Sequence, residues 1–179
     1  MDNLNYGVVG NCRSAALVSQ KGSIDWCCLP DFDSPSVFAR LLDYEKGGNF
    51  SLEVDDSYTI RQKYINNTNV LRTSFSSPEG AFDIIDFMPR YQITDREFFR
   101  PAEIHRLIQH ISGKPKVKIE YNPILNYARD PVAHVIQDDH IRTYSTDWPT
   151  DCIYLYSSFD LNDILVKNGH FISRMLYSA

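Results

Sequence analysis

Val70-Leu71-Arg72-Thr73-Ser74-Phe75-Ser76 and Ala81-Phe82-Asp83-Ile84-Ile85-Asp86-Phe87-Met88, joined by Ser77-Pro78-Glu79-Gly80, are the stretch on which the fold turns. Two runs rich in β-branched and aromatic residues flank a segment with proline and glycine where a reverse turn uses them, the pattern of an antiparallel hairpin. Large apolar groups fall on both faces of 82–87. That strand is expected to be covered on both sides, or to carry a bulge at Ile84-Ile85 that shifts the alternation.

Similar short runs recur about every 8–12 residues to either side, the spacing of an antiparallel sandwich or barrel. Strands are expected at 6–10, 14–19, 24–29, 49–54, 58–65, 133–137, 140–145 and 152–158, with hairpin turns at Lys21-Gly22 and Asp138-Asp139. Val117, Ile119 and Tyr121 alternate with Lys116, Lys118 and Glu120, giving one buried and one solvated face. Ile104, Leu107, Ile108 and Ile111 fit a helix as well as a strand, and the all-β surroundings decide for a strand over 103–111. One short helix is expected near residues 35–43, where Ser34 caps, Pro35 takes the first position and Val37, Phe38, Leu41 and Leu42 share a face. Runs at 164–166 and 171–177 around an Asn168-Gly169 turn close the chain. The fold class is all-β, an antiparallel β-sandwich forming a single domain over 1–179.

Composition bounds the function. The chain has 179 residues, 43% apolar and 23% charged, and its net charge of -5 is scattered rather than run together, so a nucleic-acid footprint is missing. No window approaches a membrane span, and the first residues lack the basic and apolar regions of a signal peptide. No nucleic-acid or membrane partner is expected, and the cytoplasm is the expected compartment. Cys12, Cys27, Cys28 and Cys152 are expected to be free thiols, since adjacent cysteines in a strand point to opposite faces and make neither a redox pair nor a zinc pair.

The motifs of common active sites are missing too. There is no Gly-x-Ser-x-Gly elbow, no phosphate-binding glycine loop and no ligand spacing among His105, His110, His134, His140 and His170, although His134 and His140 flank one hairpin and are placed to approach across it. The densest polar and aromatic cluster is Asp25-Trp26-Cys27-Cys28-Leu29-Pro30-Asp31-Phe32-Asp33-Ser34-Pro35, with Arg13 one hairpin away. Trp26 offers a flat face to a sugar ring, and Asp25, Asp31, Asp33 and Arg13 offer directional bonds to hydroxyls. The same residues also read structurally, with Trp26 in the core, Asp33 or Ser34 capping a helix and Arg13 paired to an aspartate. A second cluster runs from Asn122-Pro123 to Tyr127-Ala128-Arg129-Asp130, in which a solvated loop and a ligand contact are both open.

The run Gly10-Asn11-Cys12-Arg13-Ser14-Ala15-Ala16-Leu17-Val18-Ser19, then Gly22-Ser23-Ile24-Asp25-Trp26, Cys28-Leu29-Pro30 and Phe32-Asp33-Ser34-Pro35-Ser36-Val37-Phe38-Ala39, resembles the N-terminal β-sandwich domain of glycoside hydrolase family 15, the bacterial and archaeal glucoamylase and trehalase-like proteins. Asp86-Phe87-Met88-Pro89 and, more loosely, Tyr127-Ala128-Arg129 continue the likeness. The resemblance implies a sandwich of the super-sandwich type that precedes a catalytic (α/α) barrel carrying two glutamates as general acid and base. The six glutamates here, at 45, 53, 79, 97, 103 and 120, match no such segment. It therefore implies a non-catalytic domain, short at its C-terminal end, with the barrel as partner. Arg13, Asp25, Trp26, Asp31 and Asp33 are the candidate sugar or barrel contacts. No catalytic residue, metal site or cofactor is expected in this chain. An α-glucan or trehalose is the expected ligand class, an autonomous carbohydrate-binding module the alternative, and a homodimer through unpaired edges a further expectation.

Overall fold

A computed structural model of the protein describes residues 5–161 and, beyond them, the strands Leu165–Lys167 and His170–Ile172, which pair antiparallel. The Asn168-Gly169 turn and the remainder of the runs expected at 164–166 and 171–177 lie outside the described residues. Strands β1 (Tyr6–Gly10), β2 (Ala15–Ser19), β3 (Ile24–Cys28), β4 (Ser36–Phe38) and β5 (Asn49–Glu53) belong to one antiparallel sheet. The second sheet contains β6 (Thr59–Tyr64), β7 (Leu71–Ser77) and β8 (Gly80–Phe87). A small hairpin of β9 (Tyr91–Thr94) and β10 (Glu97–Phe99) leads to β11 (His105–Gly113), which pairs with β8, and β12 (Lys118–Asn122) returns to pair with β5. A three-stranded sheet of β13 (Val132–Ile136), β14 (His140–Ser145) and β15 (Cys152–Tyr156) follows.

The opening hairpin is the heart of the second sheet. β7 and β8 pair in unbroken register from Leu71↔Asp86 to Ser77↔Gly80, so no bulge interrupts Ile84-Ile85. Phe82, Ile84 and Asp86 are buried on the inner face, and Ile85 and Phe87 are half-buried on the other, where Phe87 stacks on His105 at 5.1 Å. Thus the second face is partly covered. Leu71, Phe75, Phe82 and Ile84 meet Val9, Val18, Leu52 and Ile119 of the first sheet, and this contact makes the sandwich core. Ile141 of β14 joins the same core, and Thr143 and Tyr121 share a hydrogen bond that ties the third sheet to β12.

One buried ion pair spans the layers. Arg106 on β11 donates to both Asp86 carboxylate oxygens (2.8 and 3.1 Å) and, across the sandwich, to the carbonyls of Phe50 (2.8 Å) and Gly22 (2.7 Å). Its side chain is 4% exposed and that of Asp86 0%.

The helix expected near 35–43 does not form. β4 occupies 36–38 and pairs with β3, and Ser36, Val37, Phe38 and Ala39 are all buried, whereas a surface helix would bury only one stripe. The amides of Ala39, Arg40 and Leu41 donate to the carbonyls of Gly47, Gly48 and Asp25, so they are not free for a helical ladder. Gly47 makes this closure possible, since a Cβ there would lie 2.2 Å from the Ala39 carbonyl oxygen. Among the described residues the one helical turn, α1 (Leu125–Ala128), lies elsewhere and is irregular. Among the described residues no helix is long and apolar enough to cross a membrane.

Candidate functional site

Part of the motif gathers at one end of the sandwich, where the β1–β2 turn, the segment after β3, the base of the β9–β10 hairpin and α1 converge. Asn11 organises the turn. Its Oδ1 accepts the amides of Arg13 and Ser14, each at 3.1 Å, and Cys12 takes a φ of 65°. This is the local turn that asparagine side chains favour. Its Nδ2 donates to the carbonyls of Pro101 (2.7 Å) and Pro89 (3.3 Å), so one fully buried side chain joins the turn to both ends of the hairpin. Arg100 adds a bond to the Cys12 carbonyl at 3.2 Å.

The segment after β3 docks on this turn. The Ser14 hydroxyl donates to the Cys28 carbonyl, and the Phe32 amide to the Arg13 carbonyl at 3.0 Å. The Arg13 guanidinium grips the Asp31 carboxylate with Nε to Oδ1 at 2.6 Å and Nη2 to Oδ2 at 3.4 Å, and both side chains are partly exposed. The hydrogen bond from Arg13 holds the Asp31 carboxyl below the usual carboxylate range, aided by the charges of Arg13 and Arg100. Ser34 accepts the Asp31 amide on its hydroxyl at 3.1 Å, so it closes a turn rather than capping a helix. Phe32 and Asp33 are exposed beside it.

The second sequence cluster belongs to the same end. Tyr127 donates its hydroxyl to the Ser34 carbonyl at 3.4 Å, and Arg129 stands 6.0 Å from the Tyr127 ring. Asn126, Tyr127 and Ala128 have φ of 52°, 58° and 58°, a left-handed turn that costs non-glycine residues about 1–2 kcal/mol each. Asn126 Nδ2 braces the turn on Asp130 Oδ1 at 3.0 Å, and Asp130 Oδ2 is buried with no hydrogen-bond partner among the described residues.

The structure brings Arg13 and Asp31 together, leaves Asp33 exposed two residues on and bonded to neither, and sets Asp25 and Trp26 apart, further along β3. Asp25 is buried and accepts from Tyr6 at 3.0 Å and from Ser23 at 2.5 Å. Trp26 is half-buried opposite Leu17 of β2. Asn11 and Arg100, which sequence reasoning did not single out as site residues, hold the cluster together. Asn11 stood inside the family-resembling run, but its two proline carbonyl partners are distant in sequence and give no local signal.

The histidines of the β13–β14 hairpin do not meet: His134 faces Thr143, at 2.7 Å from its hydroxyl, while His140 bonds Asp139 at 2.7 Å. All four cysteines are free, and burial pushes the Cys27 thiol up to about 12. The loop end therefore presents an ion-paired carboxylate, exposed aromatic rings and arginines on a braced backbone. That is the chemistry of a surface that docks or orients.

Residues 5–160 match the family described as trehalase-like, N-terminal. The chain is 35% identical over 160 residues to a trehalase of Thermoplasma volcanium, covering 87% of this chain and 25% of that one. It is 32% identical over 124 residues to Trehalase 2 of Sulfolobus acidocaldarius, covering 69% and 19%, and 26% identical over 138 residues to a trehalase of Mycolicibacterium smegmatis, covering 70% and 20%. The chain thus spans a quarter or less of the length of these relatives. No solved structure gives a significant match. The match begins just before β1, takes in the whole loop end and runs past β15, and on it the chain belongs to the trehalase-like N-terminal domain family.

Proposed function

We propose that this chain is the non-catalytic N-terminal domain of a larger trehalase-like enzyme of glycoside hydrolase family 15, and that its loop end, from Arg13–Asp31 to Tyr127, packs on the catalytic barrel and helps wall the sugar pocket. The observation that carries the reading is the family match over 5–160 in a chain that spans only a quarter of a 35% identical trehalase. The chemistry of the loop end supports it. A general acid needs a carboxyl with a raised pKa, whereas Asp31 is depressed by Arg13. Asp25, for its part, is bonded to Tyr6 and Ser23. Four free thiols accord with a reducing, cytoplasmic setting. The expected outcome with purified chain is no glucose release from trehalose, maltose or malto-oligosaccharides. Reproducible release that tracks the purified chain would sink the reading.

A further inference from the structure

Away from the loop end, where β1 begins, a cleft of about 400 Å³ opens between the edge strands of the two sheets. Its volume lies at the lower end of the roughly 300–1,000 Å³ typical of small-ligand sites. Its lining is unlike the core: Asn5, Gln20 and Gln62 supply amides, Tyr6 and Tyr64 aromatic rings, and Lys63 one cation, around Gly7 and Leu71. Two features keep it in shape. Tyr64 is pinned by its hydroxyl, which accepts the Val8 amide at 2.7 Å and donates to the Val8 carbonyl at 3.0 Å. Gln62 is pinned by its Nε2, which donates to the Ser19 carbonyl at 2.8 Å and to Thr73 at 3.1 Å. Its Oε1 would lie 3.1 Å from a Cβ at Gly7, so it faces the space that the missing side chain leaves. That Cβ would also stand 2.5 Å from Leu71 Cδ2.

From this lining we infer that the cleft between β1 and β6 is a binding site for a neutral saccharide of mono- or disaccharide size, separate from any site shared with a catalytic barrel. The amides of Asn5 and Gln20 offer donors and acceptors and Gln62 Oε1 an acceptor, which suits hydroxyl groups, and tyrosine rings suit the apolar face of a pyranose. A single lysine is too little positive charge to select an anion, and the polar walls do not suit an apolar ligand. The inference stands independently of how the loop end is used.

The test is titration of the full chain with trehalose and, separately, maltose, followed by amide and side-chain NMR shifts, with sorbitol as an acyclic control. Saturable shifts at Gly7, Gln20, Gln62 and Lys63 with one of the two disaccharides, and none with sorbitol, are expected. The double variant Gln20→Ala, Lys63→Ala, both solvent-facing positions, is expected to weaken the affinity about tenfold while the remaining spectrum is retained. Shifts that fail to saturate, shifts centred on residues 11–13 and 31–34, or unchanged affinity in the double variant would each overturn the inference. Shifts centred there would still leave the loop-end reading standing, and glucose release would count against that reading alone.

Discussion

Arg106 uses its guanidinium on four acceptors, two from one carboxylate and two from backbone carbonyls of the opposite sheet. Removing the cation leaves a buried carboxylate without its partner, a mechanism that typically costs about 3–5 kcal/mol. Arg106→Met is expected to lower the free energy of unfolding, measured by urea denaturation, by that order, whereas replacing the pair together with well-packed apolar residues is expected to recover much of the loss. The Arg13–Asp31 pair makes the contrasting case, because both groups are partly exposed. Asp31 is depressed in the folded chain, so its contribution is present above the ordinary carboxylate pKa of about 3.9 and fades as pH falls through the lower folded value. An NMR titration is expected to place the Asp31 midpoint below the ordinary carboxylate value, and to return it toward that value in Arg13→Ala. An unchanged midpoint in that variant would remove Arg13 as the cause. The Arg13–aspartate pairing was legible in the sequence because a single hairpin brings 13 and 31 together. The partners of Arg106 were not, since they come from two other strands and a turn that only the folded sandwich juxtaposes.

At the level of elements, edge strands set the next constraint. β1 is an edge of its sheet, and an open edge invites pairing with another chain. The Tyr64 hydroxyl occupies the outward amide and carbonyl of Val8, so one side chain blocks the middle of that edge. Tyr64→Phe is expected to cost about 1 kcal/mol in thermal stability and to raise the weight-average mass in concentration-dependent light scattering. A monomer at every concentration would show that the hydroxyl does not guard the edge. Strand alternation and turn residues located most of the elements directly, β7, β8 and β12 above all. The expected helix failed because a serine-proline start and an apolar spacing of i, i+1, i+4 cannot reveal that 36–39 is buried on every side. The β9–β10 hairpin escaped notice for the opposite reason: every residue of it is exposed, and its tip carries no glycine.

Over the whole molecule, two sheets share a core and a third joins it through Ile141, while the family motif residues 11–14 and 31–34 collect at one end. The motif runs marked that end in the sequence, but its wiring depends on contacts that sequence order hides. Asn11 reaches 78 residues along the chain to Pro89 and 90 to Pro101. Such links cannot form until β1, β8 and β11 have found their places, because closing long loops must precede the contacts that reward it. The two Asn11 links across the loop end are therefore expected to be missing from the folding transition state. Asn11→Ala is accordingly expected to speed unfolding while leaving the folding rate nearly unchanged, seen as a shift in only the unfolding limb of a denaturant chevron. The surface proposed to meet a partner would then form only in a chain whose two sheets have already closed on each other, which makes its presence a sign that folding is complete.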